Sequence, residues 1–454
     1  MVHRALGSAV REYVDQVRGA GRRARLYLAG IFLVGLGQSI FSLLLNLYLR
    51  TLGFSDSGIG QILSKLSLGA AVAAIPVAFV LRSAGARLVL VGAAALLALV
   101  YVLQSTVTVP ELLLLVSFLS GMVATVFRLS IAPVAMREGT EASRPFLFSA
   151  AFTVSFLSAI LGSAVGGWLP HVFRLITTND MHALRWSLYV ACACVLLAAI
   201  PFHSMRRRLA DVAASPGAST DWPPPSLLEA LRPERIGREI ERGLNVTWGY
   251  VREVAELDWI LNFKLVLPSL LIGLGAGLII PFLNLYFRDR FQLTEAQIGI
   301  LFGVMQACMV VGNLFGPAVS RRLGLVRGVV VTQLMSVPFM MLLALSHAFP
   351  VVAFAFCLRS GLMNMNQPLT SHFAMEVVRE RDHAITNSLL SLSWFLAWSL
   401  SADIGGTMIE RHGYTEPLLI AAGLYIAASV LYWYFFRNVE EGRVPRGEVE
   451  IPDA

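Results

Sequence analysis

Long apolar runs alternate with short polar loops along almost the whole chain, and twelve of the runs are long enough to cross a bilayer as helices. They fall at roughly 26–49, 58–81, 86–106, 110–135, 146–169, 184–203, 260–287, 296–319, 327–347, 350–375, 384–409 and 415–436. The first, Leu26 to Leu49, corresponds to about 36 Å of helix and carries no cleavage site of a leader peptide. Ahead of it, over 1–25, Val2, Leu6, Val10, Tyr13 and Val17 recur at helical spacing opposite Arg4, Arg11, Arg18 and Arg22. That pattern predicts an amphipathic helix on an anionic membrane surface. The one long polar stretch, 204–258, starts with Met205-Arg206-Arg207-Arg208 and passes Pro223-Pro224-Pro225 before an amphipathic pattern from Ser226. It predicts a linker followed by surface helices, and 437–454 reads as a polar tail.

The pattern occurs twice. Asn46-Leu47-Tyr48-Leu49-Arg50 returns as Asn284-Leu285-Tyr286-Phe287-Arg288, Ile59-Gly60 as Ile298-Gly299, and Gly166-Gly167 as Gly405-Gly406, at a spacing of about 238 to 240 residues. A half-length repeat of apolar segments predicts an all-α membrane protein. Its twelve transmembrane helices would form two pseudo-symmetric six-helix bundles, 26–203 and 259–436.

Composition agrees with a membrane location. Of 454 residues 56% are hydrophobic and 14% charged, more apolar surface than a soluble fold of this size buries. The net charge of +7 does not indicate nucleic acid, because the basic residues lie between apolar runs rather than along one face. They orient the chain instead. The N-terminus, alternate loops and tail hold 26 of the 36 Lys plus Arg, whereas the opposite loops hold Arg50, Arg174, Arg185, Arg288, Arg290 and Arg411. By the positive-inside rule both termini are cytoplasmic. Cys192, Cys194, Cys308 and Cys357 fall inside apolar runs and read as packing residues. No nucleotide-binding loop, metal-ligand cluster or nucleophile–base set is evident, so neither a cofactor nor an enzyme is expected. An ion gradient rather than ATP would supply the energy.

Local motifs carry a family resemblance. Gly316-Pro317 with Arg321-Arg322-x-Gly324, and Arg82-x-x-Gly85-x-Arg87 in the first half, resemble the signature of the major facilitator superfamily of secondary transporters. Arg359-Ser360-Gly361 resembles that superfamily's arginine motif. Neither signature copy carries the usual aspartate, so the gating contacts of that aspartate are not carried over. Glu141 to Ser149 and Met363 to Pro368 resemble a broad bacterial, drug-efflux-like branch. The resemblance implies a monomer in the bacterial inner membrane that moves a small organic solute by alternating access, coupled to a proton or another ion. It also implies gating loops at Arg82, Gly85, Arg321, Arg322 and Gly324, and a central pathway between spans 1, 4, 7 and 10. The alternative is a receptor or scaffold that keeps the fold without moving solute.

Charges inside apolar runs are the candidate chemistry, since each costs about 2.5–3.5 kcal/mol at the bilayer centre on insertion scales. Lys65 either lines the pathway with Gln61 and Ser64 or snorkels to the outer surface. Arg128 follows Ser117, Gly121 and Ala124 along one face, a stripe that either lines a cavity or allows close packing. Arg359 and Asp403 lie at similar depths and are expected to pair, as a structural contact or as the coupling site. Asp403 is the acid well inside a span and hence the candidate proton carrier. Gln38, Asn46, Asn284, Asn364 and Asn366 are pathway candidates or interhelical hydrogen bonds. Trp394 and Trp398, four residues apart, either present aromatic faces to a substrate or pack. Three in-span cations beside one acid suit an anionic solute, and the apolar, Met-rich spans suit export of an amphipathic one.

Overall fold

The computed structural model describes residues 21–83, 86–138, 144–205 and 257–440. The stretch 1–20, the linker 206–256, the tail from 441, Gly85 and the side chain of Arg82 lie outside the described residues. Among those described, every regular element is helical. The first half comprises α1 (Arg22–Thr51), α2 (Asp56–Ser83), α3 (Ala86–Thr106), α4 (Pro110–Glu138), α5 (Arg144–Arg174) and α6 (Asp180–Leu197), the last continued by Ala199–Ser204. In the second half α7 is broken into α7a (Trp259–Ile279) and α7b (Leu283–Phe291) by a 3-10 turn, Ile280–Phe282. Then come α8 (Glu295–Leu323), α9 (Leu325–Leu345), α10 (Phe349–Val377), α11 (His383–His412) and α12 (Thr415–Glu440).

Nine of the described helices are long and apolar enough to cross a membrane on their own composition. Part of α2 lies outside the described side chains, and α10 and α11 fall short for a reason visible in their sequences. Arg359, Asn364 and Asn366, then Ser399, Ser401 and Asp403 put polar groups on faces that meet other helices. Hydrocarbon alone does not set the composition of a helix whose neighbours satisfy it.

The repeat seen in the sequence is a repeat of contacts. Tyr48 Oη donates to Ser105 O at 2.6 Å in the first bundle, and Tyr286 Oη donates to Leu343 O at 2.7 Å in the second. Gly53 (φ 88°) and Gln292 (φ 53°) turn the chain at equivalent points after α1 and α7b. The glutamine adopts there a left-handed conformation that costs a side-chain-bearing residue about 1–2 kcal/mol. At the start of α8, Thr294 and Gln297 close a capping box, as their spacing predicts. Gly324, in the signature-like loop between α8 and α9, has φ 83°, which explains why glycine stands there.

The bundles meet along two equivalent crossings, α2 on α11 and α5 on α8. Gly60 faces Gly406 at the first and Gly167 faces Gly299 at the second. A Cβ on Gly60 would lie 2.6 Å from Ala402 O, and one on Gly167 would lie 2.8 Å from Gly299 Cα. Backbones this close gain dispersion contact along their whole crossing, the main source of helix association in a medium as apolar as the side chains themselves.

Candidate functional site

The site lies in the seam between the halves, and one face of the seam is shut. The repeat-related asparagines close it near the pseudo-two-fold axis. Asn46 Nδ2 donates to Pro281 O at 2.6 Å and to Asn284 Oδ1 at 3.1 Å, while Asn284 Nδ2 donates to Leu43 O at 2.8 Å. Both side chains are buried, at 2% and 3% exposure. These two pathway candidates therefore clasp α1 to the broken α7. Pro281 supplies a free carbonyl because the 3-10 turn interrupts the helical ladder there.

Charges complete the closure at the face bearing the α1–α2, α5–α6, α7–α8 and α11–α12 loops. Arg50 pairs with Asp56 of its own half and reaches Asp289 Oδ2 of the other at 3.4 Å. Tyr414 donates to the same Asp289 oxygen at 2.7 Å, and burial together with that carboxylate pushes the phenol pKa up, so Tyr414 stays a donor. Across the second crossing Arg174 grips Glu295 with two parallel bonds of 2.9 Å, and Arg288 Nη1 lies 3.7 Å from the same carboxylate. Ser57 adds bonds to Glu410 and Thr407 of the opposite half at 3.0 and 3.1 Å. The deepest cross-half bonds join Ser64 and Ser399, with Oγ–Oγ 3.1 Å. Beyond that level no hydrogen bond or ion pair between described residues links the halves.

Just under the asparagine clasp Ser42 is exposed, although Ile40, Phe41 and Leu43 around it are buried. Gln38, one turn below Ser42 on the same face of α1, is half-buried. Arg128 projects from α4 into the same seam. Its guanidinium lies over the Phe395 ring of α11, in the opposite half, 5.0 Å from the centroid. The side chain is exposed, although its ring contact holds it within the seam between the halves. No carboxylate and no hydrogen-bond acceptor among the described residues engages it. A ring offers a cation about 0.5–2 kcal/mol, less than the in-membrane cost of the charge. On α10 of the other half Gln367 is exposed. Asn364 Nδ2 donates to Met309 O of α8 at 3.3 Å. Trp394 and Trp398, with ring centroids 5.8 Å apart, back onto Gly273 and Gly277 of α7a and are partly exposed.

Other candidates sit elsewhere. Lys65 is exposed on the face of α2 that also carries exposed Val72 and Val80, turned from the contacts of α2 with α4 and α11. Its neighbour Ser64 makes the cross-half contact instead. In the Arg128 stripe Gly121 packs on Leu66 of α2, and Ser117 accepts from Gln104 of α3, so those positions serve close packing. Arg359 and Asp403 do not pair, contrary to the expectation from their depths. Arg359 Nη2 donates to Tyr425 Oη of α12 at 2.8 Å inside the second bundle, and its Nε is buried without a partner. Asp403 is half-buried one turn before Thr407, on the side of α11 that meets α2. Depth along the membrane matched, but helix phase turned the two into different interfaces. Asn366 is buried beside Thr370 rather than at the seam. Arg321 and Arg322 are exposed.

The ionic closure escaped the sequence reading. Arg50, Arg174 and Arg288 entered it only as charges in loops. The signal was available, since Arg50 and Arg288 are repeat equivalents and each precedes an acid, Asp56 or Glu295, that begins the next helix.

Comparison with known proteins supplies the identity. A search of curated proteins finds no match to this sequence. Among solved structures, a bacterial homologue of the human lysosomal transporter Spinster, inward-facing and unoccupied, superposes with a TM-score of 0.70 at 13% identity, covering 92% of this chain and 97% of that one. A variant of the nucleoside transporter NupG gives 0.71 at 14% identity, with 92% and 100% covered. A POT family transporter in complex with a thioalcohol-conjugated peptide gives 0.64 at 15% identity, with 93% and 99% covered. At these identities the likeness establishes the fold. The family model described as Major Facilitator Superfamily matches residues 27–267 and 265–453, nearly the whole chain, and this chain is a multi-pass membrane transport protein of that superfamily.

Proposed function

We propose that the chain carries a small amphipathic or anionic organic solute across the inner membrane by alternating access, and that it stands here closed to the outside and open to the cytoplasm. One observation carries the reading: every hydrogen bond and ion pair between described residues of the two halves lies at one face, while Ser42 and Arg128 are water-accessible beyond it. The distribution of Lys and Arg supports reading the closed face as the outer one. Rocking the halves about the α2–α11 and α5–α8 crossings would break the outer bonds and expose the same lumen to the other side.

Coupling to protons, with the solute exported, is the direction we favour. Asp403 holds no ion pair among the described residues and stands one turn from Thr407 at the crossing that must open. Its loading and unloading would be felt where α2 meets α11. The test uses purified protein in liposomes under an imposed pH gradient, screened for solute accumulation. Asp403→Asn is expected to abolish gradient-driven accumulation and leave solute exchange intact. A variant that still concentrates solute moves the coupling elsewhere, and a wild type that binds ligand yet moves none is a receptor rather than a carrier.

A further inference from the structure

Within the transporter reading above, on which this step rests, the seam also identifies its ligand class. We infer that Arg128 is the receptor for the acidic group of the solute, which is an organic acid with an apolar body, and that Phe395 of the opposite half is its resting partner. Three observations converge. The guanidinium lies in the seam between the halves, exposed at its surface and held against a ring of the opposite half. It has no anionic partner among the described residues, whereas Arg50, Arg174 and Arg288 at the closed face all have one. What it does touch is an aromatic face 5.0 Å away on α11, and such a contact yields readily to a carboxylate that offers two hydrogen bonds to the guanidinium fork.

The surroundings fit the rest of such a molecule. Trp394 and Trp398 on the same helix as Phe395 are partly exposed and offer apolar surface. A ligand with one acidic group and an apolar body satisfies this arrangement. A dianion leaves a charge unmatched, and a cation is repelled. Because Arg128 belongs to the first half and Phe395 to the second, exchanging the ring for a carboxylate also releases a contact between the halves, which ties binding to their relative motion.

The test is equilibrium dialysis of the full-length purified protein with matched pairs of acid and amide: octanoate and octanamide, 4-phenylbutyrate and 4-phenylbutyramide, 2-naphthalenesulfonate and its sulfonamide. At least one acid is expected to bind tenfold or more tightly than its amide. Arg128→Gln is expected to weaken that acid about tenfold to a hundredfold while leaving the amide unchanged. Should the glutamine variant not fold, Arg128→Lys serves, since it keeps the charge without the fork and is expected to lose part of the preference. No acid preference in the wild type, or an undiminished preference in the folded variant, overturns the inference. Spin-label distances between the halves separate this failure from failure of the transporter reading. A wild type that switches faces but favours no acid refutes the ligand class alone.

Discussion

Replacing Glu295 with glutamine should unlatch the closed face. Glu295 opens α8, its side chain is 8% exposed, and it accepts two bonds of 2.9 Å from Arg174 in the other half. Glutamine keeps the volume and one acceptor oxygen but removes the charge that Arg174 and Arg288 share. Hydrogen bonds to charged groups contribute about 1.5–3 kcal/mol each when buried. Arg174 is 30% exposed, so solvent screens part of this, and a net loss of about 2 kcal/mol is the reasonable figure. That is about 30-fold in the equilibrium between closed and open forms of this face, enough to move a roughly 99:1 population to about 3:1. Spin labels at Thr178, in the α5–α6 loop, and at Glu416, at the start of α12, would report the outer separation of the halves by pulsed dipolar spectroscopy. A second, longer distance should appear in Glu295→Gln and grow in Glu295→Ala. An unchanged distribution in both variants would refute the assignment of this ion pair as a latch.

Three further outcomes follow from the packing. Gly60→Val places its first side-chain carbon 2.6 Å from Ala402 O, so the same labels should show the outer face held open while each bundle stays folded; a purely closed population would contradict this. Tyr425→Phe removes the acceptor of a guanidinium already left with an unpartnered Nε, at a cost of about 1–3 kcal/mol, read as a fall of several degrees in melting temperature. An unchanged melting curve would show that water replaces the phenol. In a cysteine-free background, the pair Ser57→Cys and Thr407→Cys, whose native oxygens lie 3.1 Å apart, should form a disulfide that stops solute movement until reduced; undiminished movement of the oxidised form would count against rocking at this crossing.

The architecture was legible because membrane helices announce themselves in apolar length and because the repeat is written twice. Asn46 and Asn284 were found from the repeat, and their pairing across the axis is what the repeat implies once the halves face one another. The break in α7 was not legible. Pro281 has Leu43 as its first-half counterpart, and several prolines, Pro76, Pro133 and Pro268 among them, sit inside unbroken helices. Arg359 and Asp403 illustrate a different limit. Sequence position gives depth along the membrane normal, but a contact also needs helix phase and neighbour, and Arg359 turned toward Tyr425. Arg128 stood out from its depth as a cavity or packing residue, whereas its partner on α11 was not legible, because nothing local in the sequence places Phe395 opposite it.

The central claim is that one lumen opens alternately to two faces, and Ser42 is the residue that reports it. A single Ser42→Cys in a cysteine-free chain sits just beneath the asparagine clasp, exposed to the lumen and shielded from the closed face. Membrane-impermeant maleimide should label it from the cytoplasmic side in inverted vesicles and not from the outside of intact cells. Adding Glu295→Gln and Asn284→Ala, which cut the latch and the clasp, should make it react from the outside. Labelling from the outside in the unlatched variant alone supports alternating access. Labelling from the outside without those changes, or from neither side with them, would contradict it.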